Sequence, residues 1–389
     1  MKKLFGFFAL ATAGALALSS CGEDDDFKVG FIFLHDSSSS YDKNFMDAAQ
    51  AVCDELGVKA IMKSNIAEGA ECQETAEDLA DSGCNIIFAD SFGHEPYLIE
   101  AAKAYPQVQF CHATGTLAHT TNLDNYHNAF ANIYEGRYCT GIAAGMKLNE
   151  MIKNGEIKKE EAVLGYVGAY TYAEVISGYT SFYLGAKSVC EDVTMKVSFT
   201  GSWYDLKKEN ESCNALISQG CKLISQHADS AGAPTACEDH NVPNVFYNGE
   251  NSNMKTYLTS SRINWAPYFK YMINQVKNNK PIDTDWTGDF STGSVEVYKA
   301  SSLAAEGTQE AIDAAILKFK NHTLNVFDTN TFTVDGKKIE SYMADVDTDS
   351  DYKGDTEVIE NGIFKESAYR SAPYFDLQID GITLLNKAF

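Results

Sequence analysis

The chain has 389 residues, a formal net charge of −23 and an apolar fraction of 44%. That apolar share is typical of globular chains, and the length suits two or three domains. The acidic balance, without any basic block, argues against nucleic acid and anionic lipid headgroups as direct partners.

The N-terminus reads as an address. Lys2 and Lys3 precede an apolar stretch at 4–18, the pattern of a secretory signal over 1–20. The stretch is short of the ~20 residues that span a bilayer. It ends Leu18-Ser19-Ser20-Cys21 and is followed by a polar tether over 21–26. This segment is similar to the bacterial lipobox. The likeness implies cleavage before Cys21, lipid on Cys21, and a chain anchored outside the cytoplasmic membrane without a transmembrane helix.

Beyond it, 27–34 (FKVGFIFL) is a buried strand, 35–42 a serine-rich polar loop, and 44–56 an amphipathic helix. The amphipathic face carries Phe45, Ala48, Ala49, Val52 and Leu56. Strand-like runs follow at 58–62, 85–88, 108–111 and 126–133, with helices at 71–82 and 96–104. The rhythm repeats as helix 133–151, strand 163–167, helix 174–188, strand 195–199 and helix 209–219. Next comes a strand at Leu223-Ile224, a helix at 231–240 and a strand at 245–247. Both strands end in polar clusters, Gln226–Ser230 and Asn248-Gly249-Glu250. In open parallel sheets ligands sit outside the C-terminal ends of strands, so these clusters are placed for binding. The polar stretch 278–293 breaks the pattern, before an extended run at 294–297 and a helix at 308–318. The tail from Val334, with the acidic stretch 345–351, reads as a solvated loop region. Two alternating strand–helix series predict an α/β protein of two lobes.

Catalytic motifs are missing. His35, His94, His112, His227 and His240 form no HExxH or similar pair. GxSxG, a Walker A lysine and GxGxxG after the first strand are all lacking. Once Cys21 is assigned to lipid, nine cysteines remain, with no CxxC and no zinc-ligand spacing. No metal or cofactor is expected. Spacing leaves open whether two of Cys213, Cys221 and Cys237 form a disulfide.

Several stretches carry a family likeness in order along the chain. They are 85–93 (NIIFADSFG), 110–115 (FCHATG), 133–138 (IYEGRY), 141–145 (GIAAG), 201–205 (GSWYD), 226–230 (QHADS), and 258–260 with 264–268 (LTS…NWAPY). On these the chain resembles the basic membrane protein family of lipoproteins, the solute-binding components of ABC transporters that include purine nucleoside receptors. The resemblance implies a type I periplasmic-binding-protein clamshell, two Rossmann-like lobes joined by three crossovers. It places lobe one at 27–131 and 264–286, and lobe two at 132–263 and 287–389. The family's nucleoside binders sandwich the base between aromatics and hold ribose with a carboxylate and a lysine. By resemblance the aromatic falls on Phe45, the carboxylate on Glu250, and the base-reading aspartate near Asn132. The lysine position is Ile263. These departures point toward a free base or another heteroaromatic.

The expected ligand set is Ser39, Tyr41, Asp42, Phe45, Asp90, Ser91, Phe92, Thr114, Gly115, Asn132, Tyr170, Trp203, His227, Asp229, Glu250 and Trp265, with no catalytic residue. The expected protein is a monomeric, lipid-anchored receptor that closes on a flat heteroaromatic and delivers it to an ABC permease. The competing expectations are an extracytoplasmic hydrolase or lyase, or a ligand sensor, on the same scaffold.

Overall fold

The structure is a computed structural model, and it describes residues 27–346 and 353–389. The expected signal segment, the tether, the lipid site at Cys21 and most of the acidic stretch 345–351 lie outside those residues.

The first half builds β1 (Lys28–Ile32), α1 (Ser40–Leu56), β2 (Lys59–Lys63), α2 (Ala70–Asp81), β3 (Ile86–Ala89), α3 (Glu95–Ala104), β4 (Gln109–Ala113), α4 (Ala118–Thr121) and β5 (Tyr126–Ala131). The second half builds α5 (Ile133–Lys153), β6 (Val163–Gly168), α6 (Ala173–Lys187), β7 (Thr194–Phe199), α7 (Leu206–Ser218), β8 (Leu223–His227), α8 (Gly232–His240), β9 (Asn244–Tyr247) and β10 (Tyr257–Ile263). Then follow α9 (Ala266–Lys277), β11 (Asp285–Gly288), β12 (Val295–Val297) and α10 (Thr308–Lys320).

Sheet one runs β11-β5-β4-β3-β1-β2, all parallel. Sheet two contains β12-β10-β9-β8-β6-β7, with only β12 antiparallel. The two sheets share one winding, and in each the order reverses beside its first strand. That reversal opens the crevice where α/β sheets take ligands. Helices cover both faces: α1 packs with α9 and α2 with α3 on sheet one, and α5 with α6 and α7 with α8 on sheet two. The chain passes between the sheets three times, after β5, after β10 and after β11. This is the two-lobed clamshell; lobe one is the part built on sheet one, lobe two that on sheet two.

Local chemistry explains the elements around the site. Ser39 caps α1, its hydroxyl accepting from the Asp42 amide, and Gly57 ends the helix in the left-handed region at φ 62°. Gly141 and Gly185 let α5 and α6 touch. A Cβ at Gly141 would lie 2.1 Å from the Phe182 carbonyl oxygen, and one at Gly185 would lie 2.0 Å from that of Tyr138.

Three expectations need correcting. Residues 285–288 lie in the polar stretch read as a break, yet they form β11 at the edge of sheet one. The tail is not a solvated loop. Val358, Phe364, Tyr374 and Phe375 are buried in the main core, and short strands β13 (Met343–Ala344), β14 (Thr356–Glu357), β15 (Ile359–Glu360) and β16 (Ile363–Phe364) form two hairpin-like pairs. The last strand, β17 (Ile382–Leu384), extends sheet two by pairing parallel with β7. The nine cysteines of the described residues are buried and free; the Cys213 and Cys237 sulfurs stand 3.7 Å apart without a disulfide.

Candidate functional site

A narrow, nearly closed slot lies between the lobes, with a cavity volume of only about 20 Å³ within about 370 Å³ of space between atoms that includes open solvent. Lobe one lines it with Leu34 and His35 after β1, Tyr41 and Asp42 at the start of α1, Ser91 and Phe92 after β3, and Thr114 after β4. Lobe two contributes Glu174 at the start of α6, Trp203 after β7, His227 and Asp229 at and after the end of β8, and Tyr247 ending β9. Nearly every wall residue stands at or just past a strand C-terminus, because the winding aims both switch points at each other.

Asp42 is held most firmly. Its carboxylate accepts from the Ser39 hydroxyl at 2.5 Å and the His35 amide at 2.7 Å, and meets His35 Nδ1 at 3.3 Å. Burial would raise this carboxyl, but the bonds from His35 and Ser39 outweigh it and hold it below the usual range. Asp90 sits beneath the slot. Its Oδ1 accepts from the Leu34 amide at 3.1 Å, and its backbone carbonyl accepts from the Tyr41 hydroxyl at 2.8 Å. Burial and then the Asp42 charge push Asp90 well up, toward its neutral form. Asp229 is raised likewise, by burial and by Asp42, Glu209 and Glu174.

His227 Nε2 lies 3.4 Å from Glu174 Oε1, and burial lowers the imidazole, favouring the neutral ring. Gly178 leaves room for that ring: a Cβ there would lie 2.5 Å from His227 Nδ1. The Tyr247 ring packs on His227 at 4.4 Å and carries the Arg137 guanidinium 5.0 Å from its centre on the core side. Arg137 itself is buried, donating to Ser225 Oγ and the Tyr166 hydroxyl, so its charge serves the wall from behind.

Thr114 adopts φ 64°, a costly conformation for a β-branched side chain, at the edge of the slot. Among the described residues that line the slot there are three carboxylates and four aromatic rings, and no lysine or arginine. Such walls suit a flat ring that presents N–H donors.

Of the residues expected from sequence, Tyr41, Asp42, Ser91, Phe92, Thr114, Trp203, His227 and Asp229 come together in the slot. The others stand elsewhere. Phe45 and Trp265 are buried and stacked on each other in the lobe-one core. Ser39 is fully buried as the α1 cap, and Asp90 lies under the floor. Gly115 is needed for packing, since a Cβ would come 2.0 Å from Asn128 Nδ2. Asn132 accepts from Ser367 at the first crossover. Tyr170 supports Trp203 edge-on at 5.2 Å from outside the slot. Glu250 is exposed and lines a separate depression with Lys43, Arg262 and Tyr298.

Leu34, His35, Glu174 and Tyr247 were not foreseen. Leu34, His35 and Tyr247 stand at or beside strand ends, which was the available signal, visible for His35 in the loop after the first strand; Glu174 opens α6 and carried none.

In this structure the lobes touch. The Ser40 amide donates to the Asp229 carbonyl at 3.2 Å, and Asn44 Nδ2 donates to the Asn248 carbonyl at 2.8 Å. Phe92 of lobe one meets Tyr172 of lobe two at 5.4 Å between ring centres.

A two-lobed clamshell with a slot at facing switch points is the architecture of a solute-binding protein. The family described as ABC transporter substrate-binding protein PnrA-like matches residues 30–328, and the chain belongs to it. A purine-binding protein of Brucella abortus strain 2308 is 33% identical over 267 residues, 66% of this chain and 71% of the relative. A Haloferax volcanii protein named for glucose binding, TsgA13, is 27% identical over 271 residues, 68% of this chain and 64% of the relative. In fold, the chain is similar to an ABC transporter solute-binding protein from Conexibacter woesei. The TM-score is 0.63 at 16% identity, over 77% of this chain and 98% of the other. The family is one of solute-binding proteins, not enzymes. No helix of the described residues is long and apolar enough to cross a membrane.

Proposed function

We propose that this protein is the lipid-anchored receptor of an ABC importer, held outside the cytoplasmic membrane through Cys21. It closes on a purine base, a purine nucleoside or a similar heteroaromatic and presents it to a membrane permease. The observation that carries the reading is the slot wall: Tyr41, Phe92, Trp203 and Tyr247 offer ring faces or edges beside Asp42, Glu174 and Asp229. Aromatic packing is worth ~0.5–1.5 kcal/mol per pair beyond buried area, and a well-placed hydrogen bond to a charged acceptor such as Asp42 ~1.5–3 kcal/mol. The purine-binding relative from Brucella supports the same ligand class. Two features favour the free base over the nucleoside. Ile263, at the position of the family's ribose lysine, is buried and apolar, and Glu250 lies outside the slot.

Closure follows from the wall's division between lobes. A ligand that touches both halves binds the closed state better and shifts the population toward it. The test is a thermal-shift panel of adenine, guanine, hypoxanthine, their ribonucleosides, and glucose. Stabilisation by purines and not by glucose is expected. Stabilisation by glucose alone would replace the heteroaromatic reading with a sugar one.

A further inference from the structure

The family match ends at residue 328, yet the chain continues across the mouth of the cleft. Through Phe92, Thr114 and Glu174 the slot opens into a wider chamber, and the outer wall of that chamber is the C-terminal segment: Arg370, Ala372, Pro373, Tyr374, Asp376 and Phe389.

The segment 366–389 is fastened very unequally. On lobe two, β17 pairs with β7, and Asn386 accepts from the Phe199 amide at 2.7 Å while donating to its carbonyl at 2.8 Å. Ala388 exchanges two bonds with Thr171, the Thr171 amide donating at 2.7 Å and Thr171 Oγ1 accepting at 2.9 Å. Glu366 accepts from Ser177 at 2.5 Å, and Gln378 from the Tyr179 hydroxyl at 3.2 Å. At the first crossover Ser367 donates to Asn132 at 2.8 Å; toward sheet one itself and its helices, the remaining hydrogen bonds of 366–389 among the described residues converge on one atom. The Ser371 amide and hydroxyl both donate to Asp285 Oδ1, each at 2.8 Å. Asp285 begins β11 at the edge of sheet one, and Ser371 is fully buried against it.

We propose that Asp285 is a positioning residue for ligand retention: it latches the C-terminal strap to lobe one across the chamber. Opening the clamshell moves lobe one away from lobe two. The strap travels with lobe two, where backbone pairing holds it, so among the described residues the Ser371–Asp285 hydrogen bonds part. The ligand leaves through the chamber once that contact opens. This rests on the slot being the ligand site, and the experiment separates the two claims.

Amide hydrogen exchange over 366–374 is measured on the ligand-free full chain for wild type, Ser371→Ala, Asp285→Ala and Asp285→Asn. Stopped-flow dissociation is measured with the tightest binder among adenine, guanine, hypoxanthine and their ribonucleosides. In Asp285→Ala, exchange in that stretch rises about tenfold or more while β1 and β6 keep wild-type protection, and dissociation speeds by a similar factor. Ser371→Ala, a milder change, moves both in the same direction. Asp285→Asn keeps an acceptor oxygen and restores most of the wild-type behaviour, which a general loss of packing would not allow. Unchanged exchange in both Ala variants, or a rise spread evenly over the chain, overturns the latch. Local loosening with a wild-type dissociation rate overturns its part in retention. If no purine of the panel binds, the heteroaromatic reading and the retention role both fail, while the exchange data still decide whether the latch exists.

Discussion

The ring of Phe45 lies on that of Trp265, centres 4.4 Å apart and planes at 23°, with both side chains sealed from solvent. Phe88 closes on the pair, 5.6 Å from Phe45 and 5.9 Å from Trp265. This cluster fixes α1 against the start of α9, and Tyr41, one helical turn before Phe45, rests edge-on against it at 4.9 Å. The slot wall therefore stands on a packed aromatic base.

Phe45→Ala should cost ~3–5 kcal/mol of stability, the usual range for emptying a buried aromatic site. Urea denaturation checks this. Trp203→Ala should behave oppositely, because Trp203 is half-buried at the slot. Its stability change should stay within about 1–2 kcal/mol, while purine affinity drops by at least about tenfold, as for a lost stacking anchor. A Phe45 variant with wild-type stability would contradict the assignment of this ring to the core.

Glu209 gives a pH dependence with a definite sign. It is buried beneath Asp229, accepting from the Ser230 and Asp205 amides at 3.2 Å, and burial pushes its carboxyl up to about 7. Between the ordinary value of 4.5 and about 7, the folded chain keeps a proton that the unfolded chain has released. This contribution to stability is fully present below the ordinary value and is lost as pH rises through the folded one. The slope is about 1.4 kcal/mol per pH unit. Glu209→Gln should flatten that part of the stability curve, measured by urea melts at pH 5, 6 and 7. Parallel curves for both proteins would contradict it.

Asn44 and Asn248 join the lobes directly at 2.8 Å. Asn44→Ala removes this bond without touching the slot wall. A net loss of about 1 kcal/mol from the closed state should weaken ligand binding about fivefold. Small-angle scattering of the ligand-free variant should show a larger radius of gyration than wild type. Equal radii and equal affinities would show that this contact does not bias closure.

The strand–helix alternation was legible because apolar runs such as KVGFI and IIFA carry the parallel-sheet signature. Other elements hid in polar sequence. β10 reads YLTSSRI, and its serines and threonine are buried between two neighbouring strands, where periodicity gives no warning. β11 reads DWTG, which looks like a turn until sheet one supplies a pairing edge. In the tail, scattered aromatics such as Phe364 and Phe375 make the core contact, and the acidic residues around them dominate composition.

The candidate slot was legible where residues sit at or past strand ends, as with Ser91, His227 and Asp229. Phe45 shares the inward face of α1 with Ala48, Ala49 and Val52, so its helical spacing already pointed to the core, although family likeness assigned it to the ligand. Glu174 comes from a helix start and Tyr247 from within a strand run, and only the meeting of the two lobes gives them a common target.

Isothermal titration calorimetry of the chain and of its Asp229→Ala variant with adenine, guanine and hypoxanthine tests the central claim most directly. The account predicts saturable one-to-one binding to wild type by at least one base, weakened by at least about tenfold in Asp229→Ala. No heat from any base, or equal affinity in both proteins, would contradict it.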